Sequence, residues 1–232
     1  MSKILVWDLE TSDLKANRGH ILCAAAKWAE SDDIYSWNIN RIEGYGDTPK
    51  SFQNDKEIVE DLVEMMEEAD ATVAHYGKRF DLRFLNTRAI VHGLEIPPPV
   101  KLIDTWKYAR DSLALHSNRL ESIARLLGTE NQKYHLPLEA WMLAQYGDKK
   151  ILDQMEEYCI NDVLTVEDVY LKLRPIIPDH PYAVEGKLDD CPACGSKRIQ
   201  RRGHRRTKMY KIERFHCQEC GNWFNGKQQR VK

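Results

Sequence analysis

The stretch ILVWDLET, Ile4 to Thr11, constrains this chain more than any other. Its apolar run, Ile4, Leu5, Val6 and Trp7, predicts a short buried strand, and two carboxylates, Asp8 and Glu10, follow where the run ends. Strand side chains alternate, so both acids face the same way. Like charges on one face repel unless a cation lies between them or water solvates each, and a buried acid needs a partner. The pair is therefore either a metal site or a solvated strand end. Acids arriving from elsewhere in the chain decide between the two.

Further elements are legible downstream. His20 to Ala29 and Ile34 to Ile39 are apolar or alternating runs joined by Ser31, Asp32 and Asp33, which predicts a three-strand antiparallel meander. Lys56 to Ala69 carries apolar residues at helical spacing and leads into a strand at Ala71 to Tyr76. Leu82, Leu85 and Ala89 describe a helix that stops at Gly93. Pro97, Pro98 and Pro99 precede a strand at Val100 to Ile103 that ends at Asp104, whose side chain serves as a turn or helix cap or stands behind the acidic site. Asn118 with Glu121 resembles a capping box ahead of a helix that ends at Gly128, and another helix runs from Pro137 to Gly147. A long helix follows, its stripe running through Leu152, Met155, Cys159, Val163, Val166, Tyr170 and Leu173, and Pro175 marks its end. Strands interleaved with helices predict an α/β fold with a mixed five-stranded sheet flanked by helices.

Tyr158 and Asp162 stand four apart on that long helix and point at a common site. With Asp8, Glu10 and Asp81, the chain offers four acids and a phenol at the ends or sides of separate elements. Such a set suits a pair of hard cations held by oxygen ligands.

D-L-E-T at Asp8 to Thr11, F-D-L-x-F-L at Phe80 to Leu85 and Y-x-x-x-D at Tyr158 to Asp162 resemble the three motifs of the DEDDy 3′ to 5′ exonucleases. That family lies in the ribonuclease H-like superfamily and includes proofreading domains of DNA polymerases. The resemblance spans about residues 3 to 174. It implies that Asp8 bridges two Mg²⁺ or Mn²⁺ ions, that Glu10 and Asp162 complete the first, and that Asp81 serves the second through water. It also implies that Tyr158 orients or helps to deprotonate the attacking water. Thr11 and Leu14 become strand contacts, Leu14 resembling a leucine that wedges against the terminal base, although a leucine after a turn also serves as plain core. One departure stands out: where many relatives carry Asn, this chain has Tyr76, which cannot make the amide's hydrogen bonds. His20, His92, His116, His135 and His180 are scattered and read as surface or core, and His75 carries little weight. Cys23 and Cys159 read as small core residues.

Beyond Asp190 the composition changes. Cys191-Pro-Ala-Cys194 and Cys217-Gln-Glu-Cys220 are two C-x-x-C knuckles of a four-cysteine zinc ribbon, separated by 22 residues, slightly longer than the commonest spacing, which predicts one structural Zn²⁺. So short a segment buries too little core to fold alone, and the metal supplies its stability. The knuckles also resemble ribbons of transposases and other DNA-associated proteins. From Cys191 onward, twelve basic residues face two acidic ones, a net +10, while the rest of the chain carries −12. Arg201, Arg202, Arg205, Arg206, Lys208 and Lys211, with Tyr210 and Phe215 interleaved, predict phosphate neutralisation and stacking on unpaired bases.

The predicted organisation is a ribonuclease H-like domain over residues 1–175, a linker at 176–190 and a zinc ribbon over 191–232. The predicted activity is 3′ to 5′ exonucleolytic hydrolysis of single-stranded nucleic acid, DNA favoured over RNA, with the ribbon gripping the strand. A silent nucleic-acid-binding adaptor and a structure-selective endonuclease on the same fold are the alternatives. A chain that is 42% apolar and 30% charged, with no bilayer-length apolar run and no secretory signal, is expected in the cytoplasm, or in a host's cytoplasm if a phage encodes it. Compact nucleases of this kind look like phage or mobile-element equipment. No membrane partner is expected, and protein partners are left open.

Overall fold

The structure is a computed structural model and describes residues 3–48, 50–177, 180 and 190–231. Lys3–Tyr170 form one compact unit, and the chain from Leu171 onward belongs to a second. Most of the predicted linker, 176–190, lies outside the described residues.

The first unit is built on a five-stranded sheet in the order β3-β2-β1-β4-β5. Its strands are β1 (Ile4–Thr11), β2 (Ile21–Trp28), β3 (Ile34–Asn38), β4 (Ala71–Ala74) and β5 (Lys101–Asp104). β1 pairs antiparallel with β2 and parallel with β4, so the predicted meander and the mixed sheet are both present. β1 is longer than its apolar run: it continues through Asp8 and Glu10, which oppose Ala25 and Cys23 of β2. Its ladder with β4 covers only Ile4–Val6. The acidic half of β1 thus runs past the end of β4, and a groove opens beside it.

The helices are α1 (Lys56–Glu67), α2 (Asp81–His92), α3 (Thr105–Ser112), α4 (Leu120–Leu127), α5 (Leu138–Gln145) and α6 (Lys149–Leu173). α6 lies over β2 and β3. Cys23 Sγ meets the Leu152 carbonyl at 3.5 Å, and Glu156 accepts from Ser36 Oγ at 2.7 Å and Asn38 Nδ2 at 3.2 Å. Lys27 pairs with Glu167 in the interior. The stripe Leu152, Met155, Cys159, Val163, Val166 and Tyr170 is fully buried, which anchors the helix that carries Tyr158 and Asp162.

Two local expectations are corrected, and one helix is new. The capping box at Asn118 does not form: Arg119 occupies the cap position of α4 and makes no side-chain cap bond, the Asn118 carbonyl accepts from His75, and Asn118 Oδ1 has no partner. β4 stops at Ala74 rather than Tyr76, because Tyr76 takes a φ of 66°, which no strand accommodates. α3 was not predicted; Asp104 starts it by accepting the Lys107 N–H at 3.3 Å, so the capping role of Asp104 holds.

In the second unit, β6 (Ile199–Arg206), β7 (Tyr210–Cys217) and β8 (Trp223–Arg230) form an antiparallel sheet in that order. Cys191, Ala193 and Cys217 are its buried centre, with Ile199 and Phe224 packed against them. Among the described residues, no helix of the chain is long and apolar enough to cross a membrane.

Candidate active site and zinc ribbon

Asp8 and Glu10 leave β1 on one face, and α6 brings Asp162 to them: one carboxylate oxygen from each lies within 4.8 Å of the others. Tyr158, one helical turn before Asp162, is buried beside them and donates its hydroxyl to Asp162. Asp81, the first residue of α2, stands slightly apart from the trio. It accepts the Leu9 N–H, beyond the end of the β1–β4 ladder, and its charge acts on Asp8. Asp8, Glu10 and Asp162 thus meet, with Tyr158 bonded to Asp162 and Asp81 bonded to Leu9 between the two β1 acids.

The charges in that groove do not balance. Burial, then repulsion from Asp81, Asp162 and Glu10, raises Asp8 well above the carboxylate range. Burial and Asp162 push Glu10 to about 8, and burial pushes Asp81 to about 7. The cation facing them is Lys133, which sequence reasoning missed. It pairs with Asp162, its ammonium lies 4.6 Å from the Tyr158 ring centre, and it donates to the Tyr158 hydroxyl. Burial opposes its charge, but Asp162, Asp8 and Tyr158 outweigh that, and its proton is held more tightly than in water. Four carboxyls sharing one ammonium leave a deficit of positive charge, and Asp162 Oδ1 is buried without a hydrogen-bond partner. An all-oxygen donor set short of positive charge fits hard divalent cations.

Other groups around the acids were also invisible to spacing arguments. Trp141 of α5 donates to Glu10 and sets its ring edge against Tyr158 with centroids 5.9 Å apart; Tyr134 does the same at 5.3 Å. His75, given little weight from sequence, lines the same cleft as Asp8 and Asp162. Burial and the nearby Lys133 lower it to about 4, so it is neutral at physiological pH and bonds to Thr105 Oγ1 at 2.9 Å. Lys133, Tyr134 and Trp141 belong to the 128–148 region, which carries no motif spacing. Thr11 is buried and bonds to the Asp13 carbonyl at 3.0 Å. Leu14 is not core: it is 77% exposed at the mouth of a cleft it shares with Arg79, Phe80 and Arg83.

In the ribbon, Cys191, Cys194, Cys217 and Cys220 bring their sulfurs within 4.8 Å of one another. Backbone N–H groups of Ala193 and Glu219 each approach a sulfur at 3.4 Å, on Cys191 and Cys217. Burial raises Cys217, but N–H bonds from Cys220 and Glu219 outweigh it and bring the thiol to about 7. Burial raises Cys194 to about 11 and lifts Cys220 above the usual thiol range, so it is the clustering of four sulfurs, rather than a shared readiness to ionise, that fits Zn²⁺.

Arg201, Arg202, Arg205, Arg206, Lys208 and Tyr210 lie on the exposed surface and Lys211 is partly covered. Phe215 differs from expectation, because it stacks on Phe224 with centroids 5.6 Å apart. The exposed aromatic of this sheet that the sequence reading passed over is Trp223, half-exposed, with Arg214 4.9 Å over its ring and His216 against it at 4.7 Å.

The RNase_H_2 family, of the RNase_H superfamily, matches residues 5–174, and the chain belongs to that superfamily. Its class is that of the RNase H-like nucleases, whose chemistry uses divalent metals. Among solved structures it is similar to the family B DNA polymerase from the hyperthermophilic archaeon Pyrobaculum calidifontis, with a TM-score of 0.60 and 14% identity. The match covers 75% of this chain but only 25% of that polymerase, and it shows a shared fold. No curated protein matches the chain.

Proposed function

We propose that this chain is a metal-dependent 3′ to 5′ exonuclease acting on single-stranded nucleic acid, DNA in preference to RNA. The observation that carries the reading is the convergence of Asp8, Glu10 and Asp162 within 4.8 Å, with Asp81 and Tyr158 alongside. Asp8, Glu10 and Asp162 would hold one Mg²⁺ or Mn²⁺ and Asp8 with Asp81 a second; paired ions stabilise the attacking and leaving oxygens of a phosphodiester.

The chain's own side chains supply the rest. Tyr158, whose hydroxyl bonds to Asp162, is the group we assign to orient the attacking water or help to deprotonate it. Lys133 places an ammonium in the cleft, where it can hold a phosphate oxygen. Trp141 keeps Glu10 aimed at the cluster. The acidic half of the chain, at −12, repels a nucleic acid backbone, and the +10 ribbon gives the strand a place to bind.

The test is digestion of 5′-labelled single-stranded DNA and RNA with Mg²⁺ or Mn²⁺. A descending ladder is expected. Internal cuts indicate an endonuclease, and silence indicates an adaptor. Asp8→Ala and Asp162→Ala are expected to lower hydrolysis by about 10³-fold or more, with unchanged circular dichroism. Retained cleavage by either variant overturns the site.

A further inference from the structure

Tyr76 is one of two described non-glycine residues with positive φ, at 66°. Glycine or asparagine adopts that conformation readily, whereas a bulky side chain is strained there. Asp104 holds it in place: its Oδ1 accepts the Tyr76 N–H at 3.0 Å and its Oδ2 the Lys78 N–H at 3.2 Å. Gly77 completes the turn, since a Cβ there would lie 2.5 Å from that of Ala74.

Core packing does not explain the ring. It is 38% exposed and touches Trp106 edge-to-face, with centroids 5.0 Å apart. Tyr76 lines two clefts. One, of about 520 Å³, also holds Leu14, Phe80, Arg79 and Arg83. The other, of about 500 Å³, holds Asp8, Asp162, Trp106 and Arg119. Among the described residues, no other is common to both. Each cleft is large enough for a small ligand, and each combines an apolar wall with cations, as a nucleotide's base and phosphate require.

We propose that Tyr76 is a stacking wall for an unpaired nucleobase next to the scissile bond, and that it selects strands whose last two nucleotides are unpaired. A base takes the exposed ring face, Arg79 or Arg119 takes the adjoining phosphate, Asp104 fixes the backbone that carries the ring, and Trp106 packs against the ring itself. A base still paired to a second strand would have to bring its partner nucleotide into the same cleft of about 500 Å³. The inference rests on the nuclease reading of the acidic cluster.

The experiment uses the full chain and a short 5′-labelled oligothymidylate, either intact or with a tetrahydrofuran abasic residue at the terminal or penultimate position. Tyr76→Gly and Tyr76→Asn delete the ring while accepting positive φ, and Tyr76→Phe keeps the ring. The ring-less variants are expected to raise KM about tenfold with kcat within about twofold, as loss of one base–aromatic stack would. Tyr76→Phe is expected to match wild type. Wild type should lose a similar factor at one abasic position, and the ring-less variants should be indifferent to that lesion. An unchanged KM, or abasic and ring losses that multiply independently, overturns the proposal. So does a lowered melting temperature with equal weakening on every strand, which marks the ring as structural. Anisotropy of the same strands on Asp8→Asn protein reads stacking without hydrolysis. A wild type that cuts nothing therefore sinks the nuclease reading, while the Kd values still decide Tyr76.

Discussion

With Lys133 as the cation beside them and no metal bound, burial raises Glu10 to about 8 and Asp81 to about 7, far above ordinary carboxylates, because it removes the water that would solvate their charges. The sign of the consequence follows from linkage. A group whose pKa rises on folding stabilises the fold below its unfolded value, and that stability is lost as pH climbs through the folded value. In EDTA, the melting temperature is therefore expected to fall by a few degrees, about 3 to 8 °C, between pH 5 and pH 8. Mg²⁺ is expected to restore it at pH 8, and Asp8→Asn to flatten the metal-free slope. Thermal melts across pH, with and without Mg²⁺, check this, and a flat profile in EDTA contradicts the charge deficit. At this scale the acids were legible because strand alternation and helical spacing are local rules. Lys133 was not, because its importance lies only in where its loop returns.

Among the elements, the loop after β1 is held by a buried network. Asp55 is fully buried and accepts from Ile21 N–H at 2.7 Å, Arg88 Nη2 at 2.7 Å and His92 Nε2 at 2.6 Å. Arg88 also reaches the Gly19 carbonyl at 3.2 Å. Asp55 precedes α1 yet makes no cap bond, because its carboxylate is committed to Arg88. Arg88→Ala would strand that charge, and urea unfolding is expected to show a loss of about 3 to 5 kcal/mol. Arg88→Lys is expected to recover little, since one ammonium cannot replace a planar fork. In the ribbon, Trp223→Ala is expected to weaken single-strand binding about tenfold with the salt slope unchanged, whereas Arg214→Ala should lower the slope by about 0.7. Titrations at several salt concentrations separate the two. The helices ending at Gly93 and Gly128 were readable from sequence, and both glycines are left-handed as a C-cap requires. The Asn118 cap was misread because the helix begins one residue later than the spacing suggests, with Arg119 at the cap position.

For the whole molecule, the proposed function makes strand binding and hydrolysis separable, because the two halves carry opposite charges. Removing zinc with a strong chelator is expected to unfold the ribbon, whose buried centre is little more than Cys191, Ala193 and Cys217, while the sheet of the first unit survives. Near-UV and far-UV dichroism should show a partial change, and binding should weaken and lose most of its salt dependence. Affinity and slope that persist after chelation would remove the ribbon from strand binding.

What the amino-acid order determined alone was whatever depends on near neighbours: five strands, the amphipathic stripe of α6, the paired C-x-x-C knuckles, and the spacing of Asp8, Glu10, Tyr158 and Asp162. The sharing of one ammonium by four carboxyls, the commitment of Asp55 to Arg88 and the strained Tyr76 wall between two clefts were decided only in three dimensions. Each depends on atoms distant in the chain, whose meeting follows from how the helices pack on the sheet rather than from any periodicity in the sequence.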